Sequence, residues 1–95
     1  MSLDFEWDPK KASANVKNHG VSFEEAVTVF SDPLARIFDD EDHSIEEQRE
    51  IIIGHSAKHR LLLVCFTARG NSIRIFSARK AARREQQDYE ENVGP

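Results

Sequence analysis

The stretch EIIIGHSAKHRLLLVCFTARGNSIRIFSA, residues 50 to 78, constrains the fold of this chain more than any other. It holds three apolar runs of strand length, rich in Ile, Leu, Val and Phe, each separated from the next by a few turn-forming residues. REIIIGHS and RLLLVCFTA are joined by AKH, and RGN turns the chain into SIRIFSA. The first two runs are apolar almost without interruption, which places them at the centre of a sheet. In the third, Ile73 and Ile75 alternate with Arg74 and Phe76, so Arg74 faces away from the isoleucines. A chain of 95 residues has room for little beyond what covers these three strands.

The flanking segments supply the cover. LDFEW alternates and sets Leu3, Phe5 and Trp7 on one face of a short strand. DPKKASANVKNHG reads as a helix, with Asp8 as N-cap, Pro9 in the first turn and Gly20 as the stop. A second helix starts at SFEEAVTVF. Ser22 and Glu25 have capping-box spacing, Phe23, Ala26, Val27 and Phe30 form the apolar face, and SDP closes it. LARIFDD is a candidate strand carrying Leu34, Ile37 and Phe38. DDEDHSIEEQ follows as an acidic loop in which His43 is expected to be solvated. The last helix is expected from near Arg79, capped by Ser77, to about Glu91. The order β-α-α-β-β-β-β-α, with no internal repeat, predicts one α+β domain over residues 1–95. Its expected form is an antiparallel sheet with two N-terminal helices, one C-terminal helix, and the helices on one side.

Charge is strongly segregated. Residues 1–50 carry 13 acids and 5 bases, residues 51–84 carry 8 bases and no acid, and residues 85–95 carry 4 acids, giving a formal net charge of −4. The positive charge gathers late, at Arg74, Arg79, Lys80, Arg83 and Arg84. On a helix Arg79 and Arg83 share a face, as do Lys80 and Arg84, while Ala78, Ala81 and Ala82 keep the other side slim. Such arginines are either a solvated face or an anion pocket, since guanidinium groups grip phosphate through paired donors. The acidic stretch DDEDHSIEEQRE is a possible internal cover for that basic surface.

Other chemistries find less support. No glycine-rich phosphate loop, nucleophile elbow or zinc spacing occurs. His55 and His59 bracket a turn, and neither metal nor cofactor is expected. Cys65 alone cannot form an internal disulfide and reads as a core residue. No apolar run reaches the ~18 residues of a membrane span, so a cytoplasmic protein that avoids membranes is expected.

FEWDPKKASANVKNHGVSFEEAVTVFSDPLA together with IRIFSARKAARREQQDYE resembles the BrnT family of type II toxins, itself similar in fold to RelE-like ribonuclease toxins. The resemblance spans residues 5 to 90. Its specific parts are W-D-P-x-K-A-x-x-N from Trp7 to Asn15, H-G-V-S-F-E-E-A from His19 to Ala26, Asp32–Pro33, and R-x-x-S-A-R-x-A from Arg74 to Ala81. Asn18 departs from the family, which commonly has a base there. The resemblance implies a metal-independent RNA endonuclease held silent by a BrnA-type antitoxin, which would bring operator DNA through its own ribbon-helix-helix domain. On that reading Arg74 and Arg79 stabilise charge on the phosphorane, and Arg83, with Lys80 and Arg84, positions flanking phosphates. His19, Lys11 and Tyr89 are candidates for proton transfer, and Trp7 for base stacking or a place in the core. Two other classes fit the same fold: a toxin acting on a protein target such as gyrase, and a noncatalytic nucleic-acid or antitoxin-binding module.

Overall fold

In the computed structural model, which describes residues 3–41 and 47–93, the strand Leu61–Arg69 (β4) lies at the middle of a five-stranded sheet. Around it run β1 (Asp4–Glu6), α1 (Pro9–His19), α2 (Phe23–Val29), β2 (Arg36–Asp39), β3 (Glu50–His55), β5 (Ser72–Lys80) and α3 (Arg83–Val93), with sheet order β1-β5-β4-β3-β2. The element order is the expected one. The sheet is mixed rather than antiparallel: β1 pairs with β5 in parallel, Phe5 opposite Ile73, while the other three pairings are antiparallel. A three-residue strand carries no local mark of direction. Its partner is chosen by the α1–α2 crossover that follows it.

The helices also divide between the faces, contrary to the one-sided expectation. Leu62, Val64 and Phe66 of β4, Ile52 of β3 and Ile73, Ile75 and Ala78 of β5 meet Val21, Phe23, Ala26 and Val29 in the main core. Ile53 and Leu63 point the other way and are covered by Tyr89 of α3. The reason is in the runs themselves: strands apolar at consecutive positions expose apolar surface on both faces, and both need a partner. Phe23, Leu62 and Ile75 are essentially fully buried, each adding roughly 1.5–3 kcal/mol of hydrophobic stabilisation.

Local chemistry sets the helix ends. The Asp8 carboxylate accepts the Lys10 N–H at 2.8 Å, Pro9 opens α1, and Gly20 at φ +68° closes it with its N–H on the Val16 carbonyl. The Ser22 hydroxyl accepts the Glu25 N–H at 3.0 Å. Glu25 does not complete the box. Its carboxylate turns inward to Arg60 and to the Ser56 hydroxyl, 2.7 Å away, and locks α2 onto the β3–β4 hairpin. Gly54 is required by close packing, since a Cβ there would lie 2.8 Å from that of Ala35.

Arg79 and Lys80 are not helical. They continue β5, opposite Leu63 and Leu62, and α3 starts only at Arg83, with the Ala82 N–H donating to the Glu85 carboxylate at 2.7 Å. The nine-residue β4 offers ladder partners to the end, and this pairing overrides the helical preference of an Ala- and Arg-rich segment. Arg79 therefore shares no helix face with Arg83, nor Lys80 with Arg84.

Asn15 joins α1 to the sheet. β1 ends opposite Arg74, leaving the outer edge of β5 uncovered beyond it. The Asn15 amide donates to the Ala78 carbonyl at 2.7 Å and accepts the Ala78 N–H at 3.1 Å, taking the place of a neighbouring strand. It also donates to the Val21 carbonyl at 2.8 Å.

Candidate functional site

The sheet face opposite α1 and α2 has two hollows on either side of Leu63. One, about 420 Å³, lies between β2 and α3 and is lined by Ile37, Phe38, Ile53 and Tyr89. The other, about 400 Å³, is where cations gather, whereas Arg36 of the first hollow is outnumbered by Glu85 and Asp88. Lys11, Arg49 and Arg79 surround Phe76, Ser77, Cys65 and Asp40 there.

An irregularity in β5 builds this second hollow. Ser77 pairs with Cys65 and Ile75 with Phe66, so Phe76 is an extra residue with no partner on β4. The bulge resets the alternation. Ile73, Ile75 and Ala78 all reach the main core, and Phe76, Ser77 and Arg79 all line the opposite hollow. The cations come from three separate segments. Lys11 reaches in from the first turn of α1, its Nζ 5.7 Å from the centre of the Phe76 ring. The Arg49 guanidinium lies over that ring at 3.8 Å. Arg79 is held by Glu85 through two contacts of 2.7 Å.

Among the described residues, two acids moderate the charge. Glu85, gripped by Arg79, is held below the usual carboxylate range. The Asp40 carboxylate accepts a bond from the Cys65 thiol at 3.3 Å. Burial, reinforced by Asp40, pushes that thiol up to about 12, so Cys65 is a neutral group at physiological pH and no nucleophile.

The remaining candidates scatter. Arg74 lies on the same face, opposite Thr67 and Glu6 in the ladders. Glu47 sits near it, held below its ordinary value mainly by its 2.6 Å pair with Arg69, with Arg49 and Arg74 assisting. The acidic loop thus does screen part of the basic face at its Glu47 end, while His43 lies outside the described residues. Lys80 is exposed and points away from Arg79's side, and Arg83 and Arg84 are exposed on the first turn of α3. Trp7 packs edge-on against Phe23 at 5.7 Å as part of the core margin. His19 is exposed at the far end of α1 from Lys11. Tyr89 is 6% exposed, and its hydroxyl donates to the Leu34 carbonyl at 3.1 Å, in the other hollow. Among the described residues no group of three His, Cys, Asp or Glu gathers as a metal site.

Arg49, Phe76 and Glu85 escaped the sequence reading. Arg49 has one visible signal, a base closing an otherwise acidic stretch. The pairing of Phe76 with Arg79 has none, because three residues of regular strand would put them on opposite faces.

No curated protein matches the chain significantly in sequence. The solved structure of the Brucella abortus ribonuclease toxin, BrnT, is similar in fold, with a TM-score of 0.66 and 22% identity over 86% of this chain and 100% of that one. The family profile described as the ribonuclease toxin, BrnT, of type II toxin-antitoxin systems matches residues 7–85. With that match over most of its length, the chain belongs to the BrnT family of type II ribonuclease toxins.

Proposed function

We propose that the charged hollow is an RNA-cleaving site that works without a divalent metal. The observation that carries this reading is the convergence of Lys11, Arg49 and Arg79, from three separate segments, on one side of the sheet in a member of a ribonuclease toxin family. In the reaction a ribose 2′-oxygen attacks the adjacent phosphorus, its proton passes to a base, the bond to the 5′-oxygen breaks, and that oxygen takes up a proton. The products are a 2′,3′-cyclic phosphate and a 5′-hydroxyl. Arg79 meets the charge that grows on the phosphate oxygens, and Arg74, outside the hollow on the same face, holds a neighbouring phosphate. Lys11, the one proton-transfer candidate in the hollow, orients or protonates. Arg83 and Arg84 steer flanking phosphates.

Its silencing partner, in this reading, is a BrnA-type protein antitoxin that carries the operator-DNA contacts, and the setting is the cytoplasm. A protein partner is supported by the edge strand β2. Ile37 and Phe38 on it, and Leu34 just before it, are 55%, 47% and 59% exposed, an apolar strip of the kind that marks an interface. The fold, with its sheet face left open beside α3, is in keeping with the RelE-like group.

The test is incubation of the purified protein with single-stranded RNA, with and without chelator. Cyclic-phosphate ends formed at the same rate in both are expected. Activity lost in chelator and restored by added metal, or growth arrest with intact RNA, overturns the proposal.

A further inference from the structure

The proposed RNA site contains an aromatic ring that packs against cations rather than into the hydrophobic core. Phe76 is half-buried, yet it belongs to neither hydrophobic cluster. The other phenylalanines that pack inside join the main core: Phe5, Phe30 and Phe66 meet there edge-on, and Phe23 packs edge-on against Trp7. Phe76 instead stands among cations, with the Arg49 guanidinium 3.8 Å above its centre and the Lys11 ammonium 5.7 Å from it.

The bulge gives that ring its neighbours. On a regular strand Phe76 and Arg79 would face opposite sides. The unpaired extra residue puts an aromatic ring and the Arg79 guanidinium on one face, where both line the hollow together with Ser77. An aromatic plane next to an anion-binding group matches a nucleotide in outline, one part flat and apolar, the other charged. The hollow, about 400 Å³, falls within the size range of small-ligand sites. Guanidinium planes stack on bases as aromatic rings do, so the Arg49 plane, backed by the Phe76 ring 3.8 Å beneath it, offers the surface on which a base would lie.

Resting on the proposed ribonuclease reading, we infer that Phe76 with Arg49 forms a stacking platform for one unpaired nucleobase of RNA, the base next to the phosphate held by Arg79 and Lys11. Two properties of the substrate follow. It is single-stranded at that point, because a base inside a duplex already has its stacking partners. Its identity is loosely read, because every base offers a π-face.

The experiment measures binding of a short single-stranded RNA with 2′-O-methyl sugars, which its own 2′-oxygen cannot cut, by fluorescence anisotropy. An abasic position is moved along the strand one nucleotide at a time. For the unaltered protein one position should weaken binding about 5- to 100-fold, the size of one lost base–aromatic stack. Phe76→Leu, which keeps an apolar side chain but no ring, should weaken binding of the intact strand by a similar factor. It should also become indifferent to the abasic position. Phe76→Trp should keep both the affinity and the abasic effect. A merely structural ring moves the melting temperature but not this interaction between variant and abasic position. A flat abasic scan for the unaltered protein, with RNA still bound and natural RNA still cut, overturns the platform and leaves the ribonuclease reading standing. No binding and no cutting of RNA overturns both.

Discussion

Two arginine–glutamate pairs sit on opposite faces of this sheet, and they differ in burial. Arg60 pairs with Glu25 beneath α2, where the Glu25 side chain is 2% exposed and Arg60 29%. The Ser56 hydroxyl bonds the same carboxylate, and Arg60 reaches on to the Gly20 carbonyl at 3.1 Å. Arg79 pairs with Glu85 on the other face, with 45% and 31% of the two side chains exposed. The first pair sits in a network that also takes in the Ser56 hydroxyl and the Gly20 carbonyl, with its carboxylate almost wholly buried. The second has ideal two-pronged geometry but stands at the rim of a hollow, in reach of water, salt and any competing anion. Burial separates an arginine that holds the fold from one that is available for chemistry.

Breaking the buried pair should produce the largest change in stability. Arg60→Ala leaves Glu25 charged and without its main partner inside the protein, and should lower unfolding free energy by about 3 kcal/mol in a denaturant titration. Cleavage per folded molecule should stay near normal. Acid probes the same pair. Arg60 beside Glu25 holds that carboxyl below its ordinary value. The stability it contributes is therefore present above pH ~4.5 and lost as pH falls through the lower folded value. Glu25→Gln should flatten that part of the stability–pH curve, and an unchanged acid limb would mean that other carboxylates control it.

How far this division could be read from the sequence depends on whether the signal was local. Asp8, Pro9, Gly20 and Ser22 cap their helices as their positions imply, since a cap is a contact within a few residues. The order of strands and helices was legible for the same reason. Long-range choices were not. The parallel pairing of β1, the strand state of Arg79 and Lys80, and the placing of α3 on the second face depend on what β4 and the crossover offer from far along the chain. The acid-free run from 51 to 84 suggested unpaired arginines, yet Arg60, Arg69 and Arg79 each find a glutamate from outside the run: Glu25, Glu47 and Glu85. Of the nine site candidates, Lys11 and Arg79 meet in the hollow. The bulge that unites Arg79 with Phe76 has no sequence mark at all.

The exposed pair sharpens the comparison from the other side. If Glu85 competes with RNA for Arg79, Glu85→Gln should bind RNA several-fold more tightly while stability changes by under ~1 kcal/mol, because an exposed ion pair is worth little. High salt should shrink that difference, whereas the buried Glu25 pair should be much less sensitive. Equal affinity of the variant and the unaltered protein across a salt series would show that Glu85 does not guard the site.

The smallest effect concerns Cys65. Its thiol, raised to about 12 by burial and Asp40, should react with iodoacetamide far more slowly than a free thiol at pH 8. Rapid labelling of the folded protein would show that the floor of the hollow is more open than the geometry implies.

The central claim is that the arginine on the open face serves the reaction and not the fold. Single-turnover cleavage of RNA by Arg79→Ala, measured beside its denaturation midpoint, tests it most directly. The account predicts a rate reduced ~10²-fold or more, the cost of removing one positioned charge from a transition state. The midpoint should stay close to that of the unaltered protein, with partial recovery of rate in Arg79→Lys. A near-normal rate, or a loss of rate that merely follows a loss of folded protein, would contradict it.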